Sequence, residues 1–130
     1  MASKIDGAGQ AKLDSLDSAV KDVQRLNTIV ERMAQAQRNG QPLVQFRQQI
    51  HRSATPLASM LKIQFGPISD MVTNLILVST RGGSDQQKVR LLRESVAQIR
   101  VQLEMADARV KKEHAIEKEE KEEKKEADEE

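Results

Sequence analysis

The sequence predicts an all-α fold: an elongated three-helix chain, with one antiparallel helical hairpin, that associates into an oligomeric helical bundle. Three observations carry this. The only aromatic residues among 130 are Phe46 and Phe65, with no Tyr, Trp or Cys. The apolar set is therefore Leu, Val, Ile, Met and Ala, which helices accept and which lacks the aromatic content of most sheets. Apolar residues recur at spacings of three and four along most of the chain. Gly and Pro are few and gather at a few punctuation points rather than at the regular turns of a β fold.

The first helix is expected over about residues 10–38. Leu13, Leu16, Val20, Val23 and Val30 keep a three–four rhythm, with Asn27 in the vacant slot and Leu26, Ile29 and Met33 widening the stripe. Asn27 reads either as a polar register-setter in a coiled-coil seam or as an ordinary residue at the stripe's edge. Asn39-Gly40 supplies a C-terminal cap, and Pro42 suits the first turn of the next helix.

That second helix is expected over about 42–80. Its stripe runs Leu43, Phe46, Ile50, Leu57, Leu61, Phe65, Ile68, Val72, Leu75 and Val78, weak only at Ser53/Ala54. Pro56 and Pro67 each remove an amide donor and crowd the preceding turn, and the break is placed near 66–67. Arg81-Gly82-Gly83 then closes the helix. Ser84-Asp85-Gln86-Gln87 reads as a capping box that opens the third, the turn of the hairpin.

The third helix, about 85–112, has the cleanest heptads: Val89, Leu92, Val96, Ile99, Leu103, Ala106 and Val110. Leu91, Val101 and Met105 lie off that seam, so a second face is partly apolar and a bundle is expected rather than a solitary two-stranded coil. The seam residues Val89, Leu92, Val96, Ile99 and Leu103, with Met71, Val72 and Leu75 from the most apolar stretch, are the expected contact surface. Residues 1–9 are expected to be flexible. Residues 113–130, rich in Glu and Lys, are expected to form a frayed helix or to be disordered.

Charge is unevenly spread. From Lys111 to Glu130 there are ten acidic residues and six lysines, against fifteen Lys plus Arg and ten acids elsewhere, so a basic body carries an acidic tail. The longest uninterrupted apolar run, Leu75–Val78, is far short of the roughly 18 residues of a membrane span. Without Cys there is no disulfide or thiolate chemistry, which fits a cytoplasmic location. No cofactor or metal site is expected: His114 sits in the charged tail, where its polar neighbours are Lys and Glu. No pair of carboxylates is placed for acid–base work and no Ser is set in a nucleophile motif, so no enzyme activity is expected.

The string Ile50-His51-Arg52-Ser53-Ala54-Thr55-Pro56-Leu57 resembles the dimerisation and phosphoacceptor box of sensor histidine kinases, matching it at His51, Thr55, Pro56 and Leu57. The resemblance implies a helical hairpin in a four-helix bundle with His51 as phosphoacceptor. Arg52 stands where that family carries an acid, and no ATP-binding domain accompanies the box. Without the resemblance, His51 is a helix histidine beside a proline.

The leading expectation is a non-enzymatic helical adaptor or regulatory protein that contacts a protein partner and its own copies. A histidine-phosphotransfer or degenerate dimerisation module is the alternative. A third reading is a nucleic-acid accessory protein using Arg47, Arg52, Lys62, Arg81, Lys88, Arg90, Arg93 and Arg100, although no aromatic stacking platform accompanies them.

Overall fold

A computed structural model describes the backbone of residues 7–129, and the side chains of these except Ala8 and 114–129. The described chain has four helices: α1 Gly7–Arg38, α2 Val44–Leu61, α3 Gly66–Thr80 and α4 Asp85–Glu129. Helix α1 packs on α2 and α4, and α3 packs on the same two. Among the described residues the diagonal pairs make no close backbone approach. This is an up-down-up-down four-helix arrangement around one core.

The all-α class holds, but the count of three helices does not. The stretch expected to be one helix over 42–80 is two, joined by a turn at residues 62–65 just ahead of the expected break. Pro67 falls in the first turn of α3, where its fixed φ fits and its missing N–H removes no intrahelical bond. Phe65 leaves the helical region at φ −135°, ψ 55°, and the chain reverses there. The Ser69 hydroxyl then reaches back 2.7 Å to the Ala58 carbonyl, in the last turn of α2. Pro56 lies inside α2, which continues past it to Leu61. The helix begins at Val44, so Pro42 precedes it rather than occupying its first turn.

Both outer turns follow local chemistry. At the end of α1, Gln41 N–H donates to the Ala36 carbonyl at 2.8 Å and Gly40 N–H to Gln37 at 3.2 Å, with Gly40 at φ 68°. This is a Schellman motif. Before α4, Ser84 accepts a bond from the Gln87 amide at 3.2 Å, the N-cap expected from the sequence.

The core is a single cluster. Helix α1 supplies Leu16, Ala19, Val23, Leu26, Val30 and Met33, α2 supplies Ile50, Ala54, Leu57 and Leu61, and α3 supplies Ile68, Val72, Leu75 and Val78. From α4 come Val89, Leu92, Val96, Ile99, Leu103 and Val110. Fully burying each large side chain contributes about 1.5–3 kcal/mol. The seam in α1 therefore runs through Ala19 and Leu26 rather than Val20 and Asn27, and Asn27 is half-buried at its edge.

Residues 7–9, expected to be flexible, begin α1; residues 1–6 of that expected segment lie outside the described residues. Helix α4 does not stop at 112: its backbone is helical to Glu129. At 45 residues it is about 68 Å long and overhangs the bundle. Among the described residues no helix is long and apolar enough to cross a membrane.

Candidate functional site

His51 lies on the exposed side of α2, one turn after Arg47 and one turn before Thr55. It helps to line a shallow recess with Val44, Arg47 and Gln48 of α2 and Thr80 at the end of α3. The Thr55 hydroxyl donates to the His51 carbonyl at 2.7 Å. Pro56 has no N–H, so the Arg52 carbonyl lacks its usual helical donor. The Arg47 Nε is buried without a hydrogen-bond partner. No acid lines this recess, so the imidazole has no carboxylate there to act as a general base. Among the described residues no group of three or more His, Asp or Glu is placed to hold a metal ion.

The residues expected to form a contact surface are mostly interior. Leu92, Val72, Leu75 and Leu103 are fully buried, Val89, Val96 and Ile99 nearly so, and Met71 is half-buried against the same core. Their apolar surface is covered within one chain, because α3 folds back onto α2 and α4. A partner docking on the folded bundle therefore meets other side chains.

The outward face of α4 offers a different set. Leu91, Val101 and Met105 are 41%, 50% and 51% exposed. At 3.6 residues per turn they share an arc of about 80° turned away from the buried seam. Leu91, Glu94, Gln98, Val101, Met105, Ala108 and Lys112 keep an unbroken three–four spacing, and all seven are exposed. This is a second heptad line, half apolar, on the same helix as the first. The other large exposed apolar residues are scattered: Val44 at the start of α2, Met60 near its end, Ile63 in the following turn and Leu77 alone on α3. Single exposed residues of that kind are ordinary on a protein surface.

No family model matches this chain, and no curated protein or solved structure proved similar to it.

Two further features carry no sequence signal. Arg93 of α4 binds Glu31 of α1 through two hydrogen bonds across 62 positions of sequence. The Arg93 guanidinium, by hydrogen bonding, holds the Glu31 carboxyl below the ordinary glutamate range, and Glu31 raises Arg93 in turn. Lys88, counted from sequence as part of a basic surface, is only 6% exposed and borders a hollow at the α3–α4 turn with Arg81 and Ser84.

Proposed function

We propose that this chain is a non-enzymatic helical adaptor or regulatory protein that works through helix–helix contact with a protein partner, and that the outward stripe of α4 is its contact surface. One observation carries the reading: Leu91, Val101 and Met105 remain exposed and aligned on one helix face while the other seam of the same helix is buried. An isolated bundle gains nothing from a second apolar line in water. A partner helix laid along it gains apolar burial at Leu91 and again from Val101 to Ala108.

The test is a photo-reactive residue placed at Val101 in one variant and at Ser59, on the exposed side of α2, in another. Irradiation in the source cell is expected to give discrete adducts from position 101 and few from 59. Equal or stronger adduct formation at 59 would contradict the reading.

A second reading rests on His51. Its side chain is exposed on a bundle helix, with Arg47 a turn away to attract a phosphoryl group. With Arg52 after the histidine and no acid in the recess, a phosphoryl group would have to come from an already phosphorylated partner. This reading requires acid-labile phosphate on the protein, lost in His51→Gln. Full cellular function of His51→Gln would exclude it.

A further inference from the structure

We infer that the occupant of the α4 stripe is a second copy of this chain, lying antiparallel along it and centred on Val101. The inference rests on the reading of that stripe as the contact surface and names what covers it.

The heptad line decides the direction through its charges. Leu91 opens the line and Glu94 follows it, the neutral and apolar residues Gln98, Val101, Met105 and Ala108 fill the middle, and Lys112 closes the C-terminal end. In a parallel pair Glu94 meets Glu94 and Lys112 meets Lys112, and the two acid-rich extensions run side by side. Each of these juxtapositions repels. In an antiparallel pair centred on Val101, Gln98 faces Met105 of the second copy. Glu94 then lies beside Arg109 and Lys112 of the second copy. The present partner of Glu94 is Arg90 in its own helix, at 3.6 Å and largely exposed, a contact that holds little energy and leaves the carboxylate free to be shared.

The extension points the same way. Beyond 112 the chain carries ten acids and four lysines. Helix α4 is continuous to Glu129, so this segment projects away from its own Arg90, which lies about 35 Å back along the same rod at residue 113. The acidic segment therefore cannot screen the basic turn end of its own bundle. In the antiparallel pair, Glu113 of each chain passes Arg90 of the other, and the helix backbone of the acid-rich stretch that follows runs on past the other chain's α3–α4 turn. This arrangement pairs the charges of the line and places the tail, while Val101 meets Val101 at its centre, Met105 packs on the stem of Gln98 and Leu91 on the stem of Lys112 of the second copy.

The chain has no cysteine, so introduced thiols report cleanly. Gln98→Cys and Met105→Cys variants of the full chain, mixed and treated with a short bismaleimide, are expected to give a cross-linked dimer at least several-fold faster than either variant alone. Light scattering should give twice 14.6 kDa at micromolar concentration. Glu94→Lys should raise the dissociation constant about tenfold, and Glu94→Lys with Lys112→Glu should restore it. Faster cross-linking in the unmixed samples would overturn the antiparallel arrangement. A monomeric mass with no cross-link would overturn the second-copy inference altogether. If position 101 still captures a different protein in the cell, the contact-surface reading survives that failure.

Discussion

Arg93 on α4 and Glu31 on α1 are joined by two hydrogen bonds, 3.0 Å from Nε to Oε1 and 2.7 Å from Nη2 to Oε2. They tie the first helix to the last near the end where the α1–α2 and α3–α4 turns lie. Both side chains are nearly half exposed, so solvent screens the pair, and its two-pronged geometry keeps it near the upper end of the surface range, about 1 kcal/mol. Glu31→Gln should lower Tm by about 3–5 °C at neutral pH.

The pair also fixes a pH dependence. The folded Glu31 carboxyl is depressed, chiefly by the Arg93 hydrogen bond. Its contribution is therefore present above the unfolded glutamate value, about 4.3, and fades as pH falls through the lower folded value. Denaturant titrations of the wild type and Glu31→Gln should differ at pH 7 and converge in acid. A difference unchanged down to pH 2 would contradict the assignment.

Ser69 holds the α2–α3 reversal together. Its side chain is 5% exposed, and its hydroxyl supplies the Ala58 carbonyl across the turn. Ser69→Ala should cost about 1 kcal/mol in urea unfolding. Amide exchange over residues 58–69 should accelerate more than in α1. Uniform acceleration across the chain would mean that the bond does not hold this turn in particular.

Gly40 sits at φ 68° with nothing within 4 Å of the position its Cβ would take. The cost of Gly40→Ala is therefore backbone strain alone, about 1 kcal/mol, with no steric clash. A stabilised Gly40→Ala variant would show that the Schellman turn does not persist in solution.

The core ends at Val110. Deleting residues 114–130 should leave the Tm of the bundle within about 3 °C, since little apolar area is lost. The deletion removes nine acids and four lysines, so the shortened chain should bind a cation exchanger more tightly. A fall of ten degrees or more would mean that the extension packs on the body.

Helical class, the outer turns and the α4 seam were legible because each has its own local signal. The α4 heptads run unbroken, Asn39-Gly40 supplies a left-handed cap, and Ser84 caps the amide of Gln87. The reversal between α2 and α3 was masked because Leu61, Phe65, Ile68 and Val72 keep a three–four spacing straight through it. Periodicity records which face is apolar and says nothing about whether the rod has turned back. That hidden turn carries the largest consequence, since it lets one chain cover the seams expected to face partners.

Small residues blurred the rest. In α1, Ala19 and Ala36 are buried while the bulkier Val20 is only half-buried, so a reading weighted by side-chain size shifts the seam sideways. In α2 the weak slot is filled by a fully buried Ala54. The half-apolar second face of α4 was visible in Leu91, Val101 and Met105, but its meaning depended on knowing that the first face was already covered. Exposure of His51 and the Arg93–Glu31 pair needed three dimensions, because both depend on how separate helices are placed.

Helix α4 carries two seams, one buried in the bundle core and one turned outward. Leu92→Asp and Val101→Asp, compared by thermal unfolding and sedimentation on the same samples, test this most directly. Leu92→Asp should unfold the chain, because it buries an unpaired charge. Val101→Asp should keep full helicity and a Tm within a few degrees of the bundle itself, yet lose association. Loss of the fold in Val101→Asp, or a well-folded Leu92→Asp that has merely dissociated, would mean that the two seams do not divide folding from association in this way.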